Sequence, residues 1–128
     1  GTRPGFGETF AVAAHGLLPV WLGSLLAIPA AITHAPIRPE DAGRLVPSSV
    51  AALLPPSAPA PLAGALGGLD LFALWAVALL ATGMARASGA SRRRAAIVTI
   101  VLYAAWIAVA KVALPALSAA GGGPRGAP

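Results

Sequence analysis

The stretch Gly68-Leu-Asp-Leu-Phe-Ala-Leu-Trp-Ala-Val-Ala-Leu-Leu-Ala-Thr-Gly-Met-Ala-Arg-Ala-Ser-Gly-Ala-Ser-Arg-Arg-Arg94 decides the architecture. An acid opens it at Asp70. An uncharged apolar run follows from Leu71 to Ala85, and Arg86 closes that run. A short polar turn then ends in Arg92, Arg93 and Arg94, and a second apolar run begins at Ala95. Two apolar runs joined by a short basic loop are the pattern of a transmembrane helical hairpin. Everything else in the chain is placed relative to it.

The composition agrees. Of 128 residues, 57% are hydrophobic and 10% are charged, whereas a soluble domain carries about 25% charged residues. A soluble fold of this size would lack the polar surface to cover itself. The formal charge of +5 is no sign of nucleic-acid binding, because the basic residues concentrate in the loop between two apolar runs, where they act as a topology signal. With no cysteine in the chain, disulfides and thiolate metal sites are excluded. The chain starts at Gly1 without a signal-peptide pattern and reads as part of a longer protein, and its Ala/Gly/Pro/Arg bias suggests a GC-rich bacterial source.

The expected fold is an all-α membrane domain with three transmembrane helices over about 9–32, 69–86 and 95–117. Residues 1–8 form a lead-in, 9–117 the membrane domain, and 118–128 a mobile Gly/Pro/Ala tail. In the first helix, Thr9 is the expected cap and Glu8 favours the positive end of the helix dipole. Its run from Phe10 to Ile32 gives roughly 35 Å of helix, enough for a hydrocarbon core of about 30 Å. Pro19 interrupts that run and is expected to kink it, as membrane helices tolerate. The connection from Thr33 to Gly68 begins polar, with His34, Arg38, Glu40, Asp41 and Arg44, and then becomes Pro-rich. Within it, Ser48 to Leu54 reads either as a short interfacial helix with a serine cap or as an ordered linker, followed by an extended Pro/Ala segment.

Four arginines and no acid between Arg86 and Arg94 place that loop in the cytoplasm. Asp70 lies 16 residues before Arg86, and Lys111 lies 16 residues after Ala95. Each is therefore about 24 Å of helix from the basic loop, so the two charges share a depth near the opposite interface. Lys111 falls on one helix face with Ala104 and Ala108, and small residues mark close packing in membranes. The expectation is an ion pair between Asp70 and Lys111; the alternatives are that Asp70 caps its helix and Lys111 snorkels to the headgroups. His15 is the one ionisable group well inside the first run. With no second ligand spaced to join it, it reads as a neutral histidine bonded to a neighbouring helix rather than a relay or metal ligand. Trp21, Trp75 and Trp106 read as packing residues. No catalytic triad, phosphate loop, zinc motif or paired carboxylates occur, so no catalytic residue, cofactor or metal is expected.

The hairpin carries a resemblance. Leu69-Asp70-Leu71-Phe72-Ala73-Leu74-Trp75, followed by Leu79-Leu80-Ala81-Thr82-Gly83-Met84, resembles the "lDlFxlWxlxLlxxGl" signature of bacterial Yip family membrane proteins. Gly7-Glu8-Thr9-Phe10 leading into a helix with a central Leu18-Pro19 is similar to that family too. So are the Pro/Leu-rich loop before the signature, the basic residues after it and a lysine in the last helix, here Lys111. The likeness spans about residues 5 to 117 and marks Pro19, Asp70, Phe72, Trp75 and Gly83 as signature positions. It implies about five spanning helices in the family, of which these would be the last three. The resemblance also points to eukaryotic relatives that bind Rab-type GTPases in membrane trafficking, a role expected to rest on an N-terminal cytosolic region rather than on these residues.

These readings lead to a multi-pass protein of the bacterial cytoplasmic membrane, acting as a non-enzymatic scaffold or partner-binding subunit. Its expected partners are the lipid bilayer, upstream helices of the same protein, and other membrane proteins or further copies of itself. The alternative is a transporter or channel component in which Asp70, Lys111 and His15 line a path.

Overall fold

The computed structural model describes residues 3–33 and 47–121. The expectations for His34, Arg38, Glu40, Asp41, Arg44 and the end of the tail lie outside the described residues. The elements are α1 (Phe6–Thr33), a 3-10 turn (Val50–Leu53), α2 (Ala60–Gly67), α3 (Leu71–Ser88), α4 (Arg92–Trp106), a π-helical segment (Ile107–Ala113) and α5 (Leu114–Gly121). Among the described residues, three stretches are long and apolar enough to cross a membrane: Phe6–Pro29, Leu71–Ser88 and Arg92–Gly121. The all-α membrane fold with three spans is therefore the observed one.

The helix boundaries follow local chemistry. α1 starts three residues earlier than expected because Glu8, not Thr9, organises its first turn. The Glu8 carboxylate reaches back to accept from the Gly5 N–H at 3.2 Å, the return half of a capping box. The Thr9 hydroxyl instead donates to the Gly5 carbonyl at 3.1 Å. Ser88 and Gly89 end α3, with Gly89 left-handed at φ 64°, the usual helix stop. Ser91 caps α4 by accepting from the Arg94 N–H at 3.4 Å. As a result Arg92, Arg93 and Arg94 form the exposed first turn of α4 rather than the connecting loop. Cations at a helix N-terminus oppose the dipole, so their placement there is not explained by helix stability.

The third span also differs from its expected form. It continues past residue 117 to Gly121, and its middle widens into a π-helical segment. The physical cause is Pro115. A proline has no N–H for the carbonyl four residues back, here that of Lys111, and the Leu114 N–H bonds the Val109 carbonyl instead. The stretch 60–67, expected to be extended, is helix α2. Pro61 sits in its first turn, where a missing N–H costs nothing. Ser48–Leu54 yields a single 3-10 turn over Val50–Leu53, and its Ser49 makes no side-chain cap.

α3 is the central element, packed against α1 on one side and α4 on the other. The α1–α3 contact is a knobs-and-glycines seam in antiparallel register. A Cβ at Gly16 would overlap the Leu80 side chain, one at Gly23 the Phe72 ring, and one at Gly83 the Val12 side chain. Pro19 and Ala76 occupy the intervening level, and both are buried. Positions 12, 16, 19 and 23 thus meet 83, 80, 76 and 72 at heptad-like spacing. Small residues that let helices approach closely drive membrane-helix association by dispersion contact rather than by a hydrophobic effect. The outward faces of α1 and α4 are apolar and exposed, with Trp21 at 68% and Leu102 at 65%. These are lipid-facing or partner-facing surfaces in a bilayer.

Candidate functional site

The polar side chains gather at the end of the layer away from Arg92, where α2 and the segment 47–54 fold against α3 and the π-segment. Asp70 is the N-cap of α3. One carboxylate oxygen accepts from the N–H groups of Phe72 at 2.9 Å and Ala73 at 3.1 Å. The other accepts from the Ser48 hydroxyl. The backbones of the same two segments are tied by a two-residue antiparallel bridge. Leu71 N–H donates to the Ser48 carbonyl at 2.9 Å and Val50 N–H to the Leu69 carbonyl at 3.2 Å. A negative charge on a helix N-terminus is favoured by the dipole, which gives Asp70 reason to be an aspartate.

Lys111 sits over the Trp106 ring, with Nζ 5.5 Å from the centroid. In an α-helix, residues five apart do not share a face. In a π-helix, with its i→i+5 bonds, they nearly do, so the widened segment is what puts this cation on this ring. Trp106 in turn stacks on Tyr103 at 5.7 Å between centroids and 16° between planes. The Tyr103 hydroxyl donates to the Gly68 carbonyl, two residues before Asp70. α2 closes onto the π-segment at Gly64, where any Cβ would strike the Lys111 carbonyl oxygen. The glycine allows a close Cα–H approach to a carbonyl that Pro115 deprives of its usual donor.

These groups line an open cavity of about 590 Å³ whose polar wall includes Ser24, Ser48, Ser49, Asp70, Tyr103 and Lys111. Gly23, Gly64, Gly67 and Gly68 form its glycine wall. A second, apolar groove of about 530 Å³ runs between α3 and α4, lined by Leu80, Met84, Val98 and Leu102 and ending at Ser88 and Arg94. Tyr103 belongs to the walls of both.

The shared depth of Asp70 and Lys111 brings them to one cavity. Their direct partners differ from the expected ion pair: Asp70 holds Ser48 and two backbone N–H groups, and Lys111 holds the face of Trp106. The rotation of Lys111 by the π-segment accounts for the difference, because a face inferred from 3.6-residue periodicity does not survive it. His15 is not part of this cavity. Its Nδ1 lies 2.8 Å from the Ala11 carbonyl of its own helix, rather than reaching a neighbouring one. Among the described residues no three His, Asp or Glu are grouped to hold a metal ion.

Of the signature positions, Pro19, Phe72 and Gly83 build the α1–α3 seam, and Asp70 caps α3. Trp75 is half-exposed on the outside of the layer. Sequence reasoning missed Tyr103, Trp106 and Ser48 as members of a site. The available signals were Pro115, four residues after Lys111, and the serine pair before the Pro-rich segment. The family model described as Yip1 domain matches residues 1–114. Comparison with curated proteins and with solved structures gives no match.

Proposed function

The chain belongs to the Yip1 domain family, and from that premise we propose that it is a non-enzymatic scaffold or partner-binding subunit in membrane organisation. One observation carries the reading. α3 is sandwiched between α1 and α4 in an open layer, and the apolar outer faces of both flanking helices are free to receive further helices. A transporter reading is disfavoured by the placement of the polar groups: they gather at one end, and His15 is hydrogen-bonded within its own helix. The orientation completes the proposal. Arg86, Arg92, Arg93 and Arg94 lie at the end opposite the polar cavity, and the positive-inside rule supports a cytoplasmic side for that end.

The test uses photo-crosslinking residues in place of Trp21 on α1 and Val101 on α4, in native membranes. The expected result is a discrete, saturable protein adduct at one or both positions, recovered also by mild-detergent pull-down of the unmodified protein. Adducts to lipid alone, or proteoliposome solute flux that is abolished by Lys111→Met, would overturn the scaffold reading.

A further inference from the structure

We propose that the polar cavity and the apolar groove together form a binding site for one phospholipid of the phosphoethanolamine type, independent of the scaffold reading. The head group occupies the cavity and an acyl chain follows the groove. Four observations converge on that ligand.

First, the cavity presents opposite charges on one wall. The Lys111 ammonium lies over the face of Trp106, and its three N–H donors suit a phosphodiester oxygen. The Asp70 carboxylate keeps acceptor capacity beyond its cap bonds and suits a primary ammonium. A zwitterion with phosphate and amine a few bonds apart satisfies both, and an anionic head group satisfies only the first.

Second, the depth is right. Lys111 is about 26 Å of helix from Arg94, which puts the cavity at the opposite membrane interface, where head groups lie. Third, the groove leaves Tyr103 and runs toward Arg94, over about 13 Å of α4. A chain from a head at Asp70 and Lys111 would cross about 12 Å of helix to Tyr103, near the bilayer centre, and enter the groove there, at the residue that lines both spaces. Fourth, the glycine wall is tied to the same place. Gly64 seats α2 on the Lys111 carbonyl, so the α2 wall of the cavity rests on the π-segment that aims Lys111.

The test is native mass spectrometry of the full-length protein in detergent. It is titrated with phosphatidylethanolamine, phosphatidylglycerol, and soluble glycerophosphoethanolamine as the chain-free source of the same head group. Phosphatidylethanolamine should bind at least tenfold more tightly than either competitor. Lys111→Met should weaken both lipids tenfold or more, and Lys111→Arg should restore most of the loss. Asp70→Asn, which retains a capping oxygen, should erase the preference for phosphatidylethanolamine over phosphatidylglycerol. Val98→Phe, which fills the groove, should weaken the lipids without changing the soluble head group. Equal binding of the two lipids by the unmodified protein would overturn the proposal. So would indifference to both Lys111→Met and Val98→Phe. If glycerophosphoethanolamine matched the lipid, the site would belong to a soluble phosphodiester and the lipid assignment would fall.

Discussion

Replacing Asp70 separates the two roles a carboxylate can play at the head of α3. As a cap, it accepts from Phe72 N–H and Ala73 N–H and from the Ser48 hydroxyl. Asp70→Ala removes all three bonds. Loss of an N-cap costs about 0.5–2 kcal/mol, and loss of the Ser48–Asp70 hydrogen bond adds about 1 kcal/mol. The expected destabilisation is thus about 1.5–3 kcal/mol. Asp70→Asn is the informative partner. Asparagine caps as well as aspartate, its oxygen serves both backbone N–H groups, and its NH₂ can donate to Ser48 instead. The expected cost is about 0.5 kcal/mol.

If attraction to Lys111 were the larger contribution, the ranking would change. Both Asp70 variants would lose the charge, and removing one partner of a buried ion pair costs about 3–5 kcal/mol. Equilibrium unfolding in mixed micelles, followed by helix content, measures the difference. A double-mutant cycle completes it. Asp70→Ala with Ser48→Ala should couple by about 1 kcal/mol, and Asp70→Asn with Lys111→Met by less than about 0.5 kcal/mol. An Asp70→Asn variant as unstable as Asp70→Ala, with strong coupling to Lys111, would refute the capping account and reinstate the ion pair.

Three further outcomes follow from the packing. Gly16→Leu or Gly83→Leu, which forces a side chain into Leu80 or Val12, should destabilise the α1–α3 seam by about 1–3 kcal/mol, read as a drop in the thermal midpoint in detergent. Gly89→Ala should cost about 1–2 kcal/mol from the left-handed φ of 64° alone, since nothing lies within 4 Å of the added Cβ; Gly89→Asn should cost less, and equal losses for both would contradict the conformational explanation. Gly64→Val should lift α2 from the Lys111 carbonyl and expose Trp106 at the cavity wall, seen as a shifted tryptophan emission that the same substitution at the open position Gly7 does not produce.

What the sequence made legible and what it hid divide along a physical line. Charge-bounded apolar runs locate spanning helices because the bilayer enforces length and excludes charge, and the three spans were readable from Asp70, Arg86 and the arginines at 92–94. The seam was half-legible: Gly83 and Pro19 stood out as signature positions, but their partners Val12 and Ala76 are ordinary residues whose meeting depends on antiparallel register. The cavity was hidden because it depends on a departure from helical periodicity. Counting by 3.6 put Lys111 with Ala104 and Ala108; the π-segment puts it over Trp106. The cue for that departure was a proline outside the counted face. Pro115 removes a donor, the helix widens to keep its other bonds, and Gly64 brings a separate helix onto the exposed carbonyl. Two residues with no charge and no reactive group, Pro115 and Gly64, thereby shape the segment that carries the lysine, and a site built this way shows itself as a break in a pattern rather than as a motif.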